Sequence, residues 1–243
     1  VPTLPVTLEE LAIACIVVTV GAAVQGSVGF GLAVVSAPIL LLIDPVFVPG
    51  PLLLAAMVLV MLIAHRDRAE TVGRDVPLGI LGRVLGTIPA AYALAVLPAS
   101  AYNLLFAAMV LLAVALSLLG WHIPPTPLNV VAAATLSGFS GTVSSLGGAP
   151  MALVYQAESG PRIRGTMSAI FTAGTIISLT GLWWIGYFGL VQLIVGLAMM
   201  PGIVVGFMLS RYTSRRIDAY HTRPAILTVS ALSAVAILVR TFW

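Results

Sequence analysis

The sequence predicts an all-α, polytopic membrane protein made of two inverted repeats, each with a broken, re-entrant helical hairpin. Three observations predict it. Of 243 residues, 60% are apolar and 8% charged, with a mean hydropathy of +1.13, whereas a soluble domain carries charge on roughly 25% of its residues. Roughly eight to ten apolar segments follow one another, and at about 20 residues per span they use up the chain. Glycines and prolines recur along it at a fixed spacing, as internally repeated chains do.

Composition already excludes several classes. The net charge is +3, and every basic residue is arginine. These arginines fall in a few short loops, so they report membrane orientation and give no footprint for nucleic acid. The expected partner of most of the surface is a lipid bilayer. Cys15 is the single cysteine, so no internal disulfide forms, and it reads as a core residue. The first apolar run follows Glu9 and Glu10 instead of a basic stretch, which predicts a retained span and not a cleaved signal. No length is left for a soluble domain.

The first set of apolar runs reads Leu8 to Val24, Leu32 to Ile43, Val48 to Ala64, Val76 to Leu97 and Ala101 to Leu119. The second reads Leu128 to Thr142, Leu146 to Tyr155, Thr166 to Tyr187, Val191 to Leu209 and Pro224 to Val239. In each set the second run is too short to cross about 30 Å of hydrocarbon at 1.5 Å per residue. Both are expected to be half-helices, hairpinned with the run before them. Arg66, Arg68 and Arg74, then Arg162 and Arg164, then Arg211, Arg215, Arg216 and Arg223 mark three loops expected on the cytoplasmic side. Trp183, Trp184 and Tyr187 suit an interfacial belt at the opposite, uncharged connection. Counting crossings then puts both termini outside and the Gly120 to Pro127 linker inside. Residues 1–120 and 121–243 become the two repeats of one membrane domain.

An offset of about 112 residues superposes Gly26 on Gly138, Gly29 on Gly141, Ala37 on Ala149 and Pro38 on Pro150. It also brings Pro49 onto Pro161 and Pro89 onto Pro201. Halves of opposite orientation are the plan of many secondary transporters, whose paired broken segments mark a substrate site near the midplane.

The candidate site is therefore placed at two Gly-rich stretches, Gln25 to Gly31 and Ser137 to Pro150. Glycine permits tight turns there and leaves backbone N–H groups uncovered, and non-helical backbone at that depth must be buried in protein or line a wet cavity. Each half-helix N-terminus offers free N–H groups and a partial positive charge, so two of them facing one another make an anion site. Gln25, Gly26, Gly29, Phe30 and Gly31 from the first stretch, and Gly141, Gly147 and Gly148 from the second, are expected to bind substrate. The hydroxyls of Ser27, Ser36, Ser140, Thr142, Ser144 and Ser145 are expected to add hydrogen bonds. Arg83, the one charge plainly within a span, either snorkels to the interface or faces a cavity and attracts anions; with Pro38 and Pro150 it is assigned to gating or anion attraction. The bland alternative for the glycines is close helix packing.

No carboxylate lies well inside a run, which argues against cation binding or a proton relay. Asp44 and Glu158 are expected at the interface. His65, His122 and His221 show no ligand spacing, so neither a metal nor any other cofactor is expected. No base stands near the serines at membrane depth, so no enzyme is expected either.

The Gly147-Gly148-Ala149-Pro150 turn, with Pro161-Arg162-Ile163-Arg164-Gly165-Thr166 entering the next run, resembles the second-repeat signature of the TauE/SafE sulfite exporter family. Gly26-Ser27-Val28-Gly29-Phe30-Gly31 running to Pro38 resembles the first-repeat counterpart. The resemblance implies a bacterial inner-membrane transporter of sulfite, sulfonates or organosulfonates such as sulfoacetate. A passive anion channel and a non-transporting membrane scaffold are the competing readings, and a homodimer is compatible with the sequence.

Overall fold

The computed structural model describes residues 5–119 and 123–213. Ten α-helices lie among the described residues. The first set is α1 (Leu8–Val28), α2 (Leu32–Ile43), α3 (Gly50–Arg66), α4 (Asp75–Val96) and α5 (Ala99–Leu119). The second is α6 (Pro127–Ser144), α7 (Gly148–Tyr155), α8 (Gly160–Trp184), α9 (Leu190–Ala198) and α10 (Met200–Thr213). The predicted Pro224 to Val239 run, the first three residues of the linker, the C-terminal side assignment, Arg215, Arg216, Arg223, His122 and His221 lie outside the described residues.

Local signals set the helix starts. Thr7 and Glu10 form a reciprocal capping box on α1, with Thr7 N–H donating to Glu10 Oε2 at 2.8 Å and Glu10 N–H to Thr7 Oγ1 at 3.2 Å. Thr126 caps α6 ahead of Pro127, and Pro161 sits in the first turn of α8, where its missing N–H has no partner to lose. Among the described residues, five helices are long and apolar enough to cross a membrane. The expected single span Val191 to Leu209 is instead two helices, α9 and α10, bent by 41°. Pro201 explains the break, since it donates no N–H and its ring crowds the carbonyl four residues back. With 12 and 8 residues, α2 and α7 span only about 18 and 12 Å, which makes them half-helices as expected.

Span α3 is the most enclosed, 72% buried, and packs against α8. Around this pair, α4 lies along α6 and α10 lies along α1. Ile16, Val20, Ile88, Tyr92, Trp183 and Trp184 point out of the bundle, as lipid-facing side chains do. The arginine-bearing connections gather at one end: Val72 N–H donates to Thr166 Oγ1 at 2.9 Å, and Arg66 Nη1 to Ser210 Oγ at 3.2 Å.

Two matched seams hold the long contacts together. On α4, a Cβ at Gly82 would stand 2.5 Å from Val131 O, and one at Gly86 would collide with Thr135 O. On α10, a Cβ at Gly202 would stand 2.5 Å from Cys15 O, and one at Gly206 would collide with Thr19 O. Both are Gly-x-x-x-Gly pairs, the spacing that lets helix backbones touch in lipid. The two seams share one pattern: Val131 O and Thr135 O of α6 meet Gly82 and Gly86 of α4, and Cys15 O and Thr19 O of α1 meet Gly202 and Gly206 of α10.

The seams carry a direct test. Gly86→Val drives a side chain into the α6 backbone, and overpacking of this kind costs about 1–3 kcal/mol, so detergent-purified protein should melt earlier. Gly73→Ala, where a Cβ meets nothing within 4 Å, should leave the melting temperature in place.

Candidate functional site

Each hairpin breaks at a left-handed residue. After α1, Gly29 has φ 104° and Gly31 φ 128°, conformations that glycine adopts without steric cost. The Gly29 N–H returns to Gln25 O at 2.7 Å, and Gln25 Oε1 accepts the N–H of Leu32 at 3.0 Å, steadying the start of α2. After α6 the same role falls to Ser145, with φ 65° and its N–H on Gly141 O at 2.8 Å.

The second break therefore falls at Ser145, in the gap between the predicted runs, and Gly141, expected in the turn, is not part of it. Helix α6 runs unbroken through Gly138 and Gly141 to Ser144. Both glycines stay helical because α4 presses on them: a Cβ at Gly138 would lie 2.6 Å from Arg83 O, and one at Gly141 2.7 Å from Arg83 Nη1. Their missing side chains make room for a neighbour and do not uncover a turn.

The two breaks meet. A Cβ on Gly148 would lie 2.8 Å from Cβ of Phe30, so the N-termini of α2 and α7 start beside one another. Their cap residues are Gly31 and Gly147, neither with a side chain to cap the helix, and neither first turn holds an acidic residue. Between them lies a cavity of about 40 Å³ lined by Gln25, Gly31 and Leu32 from the first hairpin and Gly141, Ser145, Gly147 and Gly148 from the second. Leu53, Ala56 and Val60 of α3, and Phe171 and Thr175 of α8, complete the wall with Arg83.

Arg83 is the centre of this arrangement. It is 2% exposed, so it does not snorkel. Its Nη1 donates to Ser137 O at 2.8 Å and Ser137 Oγ at 3.1 Å, and its Nη2 to Ser178 Oγ at 3.3 Å. Phe171 lies under the guanidinium, 5.8 Å from ring centroid to Cζ. Gly141, Gly147 and Gly174 close around it, so tightly that a Cβ on Gly174 would collide with Nε. That Nε has no hydrogen-bond partner, and no ion pair joins Arg83 to a carboxylate among the described residues. Beyond it, Thr87, Thr142 and Ser178 form a buried hydroxyl cluster, with Thr142 and Ser178 at 2.8 Å.

Apart from Ser145, the remaining sequence candidates do not line the cavity. The hydroxyls of Ser27, Ser140, Thr142 and Ser144 donate to the carbonyls four residues earlier in their own helices, and Ser36 donates to Val17 O. Ser145 Oγ donates to Pro49 O at 3.2 Å. Gly26 packs on Ser210, and Gly29 faces Ile163 and Arg164. Pro38 and Pro150 are buried inside α2 and α7. Asp44 caps a short turn through Val46 N–H, and Glu158 pairs with Arg162. Sequence reasoning missed Phe171, Thr175, Thr87 and Ser178, whose only signal was polar residues among apolar ones on α4 and α8. It also missed that Asp75, 3% exposed at the start of α4, accepts a hydrogen bond from the Tyr155 hydroxyl at 2.9 Å.

Comparison with known proteins gives one finding: a family model described as Sulfite exporter TauE/SafE matches residues 13–237. No curated protein and no solved structure matches the chain.

A buried, uncompensated guanidinium is a stability liability. Arg83→Met should therefore raise the melting temperature in detergent. A fall would mean that the arginine is retained for structure.

Proposed function

We propose that this chain, which belongs to the sulfite exporter TauE/SafE family, is a secondary carrier that binds a compact sulfur oxyanion between its two helix breaks. The observation that carries the reading is Arg83, buried, without a carboxylate partner among the described residues, and lining a cavity that the starts of two half-helices also line. Holding a charge at membrane depth costs at least about 2.5–3.5 kcal/mol, and a bound anion offsets that cost. The two half-helices add roughly half an elementary charge each at their N-termini, so a doubly charged anion is neutralised without a counter-ion from solvent.

Size narrows the substrate. A cavity of about 40 Å³ exceeds the roughly 10–15 Å³ one water needs and suits a solute of a few heavy atoms. Sulfite fits that description better than sulfoacetate, whose carboxymethyl arm requires the turns to part. The matched seams of α4 on α6 and α10 on α1 support two duplicated halves in opposite orientation, which rock about the site to expose it to either side. The arginine-rich loops at one end support a cytoplasmic assignment for that end, in a bacterial inner membrane.

Proteoliposome flux tests the reading. Sulfite flux should saturate and exchange; linear flux would indicate a channel, and none a scaffold. Sulfite should raise the melting temperature of the wild-type protein more than sulfoacetate does, because only ligands that prefer the folded state stabilise it. Arg83→Gln should weaken sulfite binding at least tenfold, since charged hydrogen bonds are worth about 1.5–3 kcal/mol each. Unchanged affinity in that variant would remove Arg83 from the site.

A further inference from the structure

We infer that Arg66, Asp67 and Arg164 form the gate that closes the anion cavity on the arginine-bearing side, with Asp67 as its positioning residue. The inference rests on the carrier reading above.

Asp67, just past α3, holds both arginines. Its Oδ1 and Oδ2 accept from Arg66 Nε and Nη2 at 3.3 and 2.9 Å, and Oδ2 also accepts from Arg164 Nε at 2.8 Å. Each arginine then reaches the end of α1. Arg66 Nη2 donates to Gly26 O at 2.7 Å, and Arg164 Nη1 to Ser27 O at 3.2 Å. These carbonyls belong to the last turn of the helix, where backbone acceptors lack intrahelical partners and the dipole is negative. Arg66 Nη1 extends the cluster to Ser210 of α10. One carboxylate thus ties α1, α3, α8 and α10 together at a single point.

That point lies directly behind the first break. A Cβ on Gly29 would be 3.1 Å from Ile163 Cγ2 and 3.3 Å from Arg164 Cγ, while Gly31, two residues further on, lines the cavity. A path from the arginine-bearing side to the cavity must pass the first break, which these guanidinium bonds hold shut. The second break is held differently. Ser145 Oγ donates to Pro49 O at 3.2 Å, and the Tyr102 hydroxyl to Val143 O at 3.4 Å. Both bonds are neutral, and charge-assisted bonds are roughly twice as strong. The structure is therefore latched by charge on one side and by neutral contacts on the other, and opening on the arginine side requires Asp67 to release its partners.

The test reads access and needs no transport. In a Cys15→Ser background, Ala56→Cys places a thiol in the cavity wall, and a membrane-impermeant maleimide is applied to oriented vesicles from one side at a time. Asp67→Asn should speed labelling from the arginine-loop side about tenfold, equivalent to about 1.4 kcal/mol, and leave labelling from the other side unchanged. Arg164→Gln, which removes the same pair from its other partner, should act alike, and Asp67→Glu should restore the slow rate. Unchanged labelling in both variants, or an equal rise from both sides, would overturn the gate. Sulfite protection of Ala56→Cys is scored separately. If protection holds while labelling does not respond, the gate alone fails; if protection is lost, the anion site fails whatever the side-specific response.

Discussion

A buried cation with no carboxylate partner among the described residues organises this molecule. Arg83 is enclosed on all sides, and the surrounding structure is shaped to admit it: Gly141, Gly147 and Gly174 leave out the side chains that would strike its guanidinium. Ser137 and Ser178 take up part of its hydrogen bonding, and Phe171 offers a ring face. None of these carries negative charge. Among the described residues no carboxylate answers that charge, and the proposed anion site rests on this, since a low-dielectric setting strengthens any attraction to a bound anion.

The glycine seam beside that charge has a counterpart elsewhere in the bundle, while the charge does not. Two Gly-x-x-x-Gly seams press α4 onto α6 and α10 onto α1 through matching carbonyls. Within the seams, Arg83 follows Gly82 where Ile203 follows Gly202, and Ile203 is fully buried. Across from Arg83 sits Gly141, four residues before the Ser145 break, and Gln25 stands four residues before the Gly29 break. One half thus supplies a guanidinium with space to hold it. The other supplies a carboxamide that steadies the start of α2.

The fold was legible because lipid imposes strong rules on sequence. Apolar run lengths marked α1 to α8 to within a few residues at most boundaries, and run length alone separated the half-helices α2 and α7 from full spans. The bend at Met199 was not read, because Pro89 sits inside an intact α4 while Pro201 opens a new helix; a proline's effect depends on what its neighbours replace. At the site, glycine was read correctly at Gly29 and Gly31, where φ is positive, and incorrectly at Gly141, where the residue is helical and the absent side chain serves Arg83. Sequence does not distinguish these two uses of glycine. The hydroxyls were over-read for a similar reason: serine and threonine inside apolar helices satisfy themselves on the carbonyl four residues back, as Ser27, Ser140, Thr142 and Ser144 do.

The most direct measurement is the position of a heavy oxyanion in the folded protein. Selenite shares the shape and charge of sulfite, and its anomalous scattering locates it without ambiguity in a diffraction experiment. One peak is expected in the cavity lined by Arg83, between the first turns of α2 and α7. A peak confined to Arg66 and Arg164, or an empty cavity at saturating selenite, would contradict it.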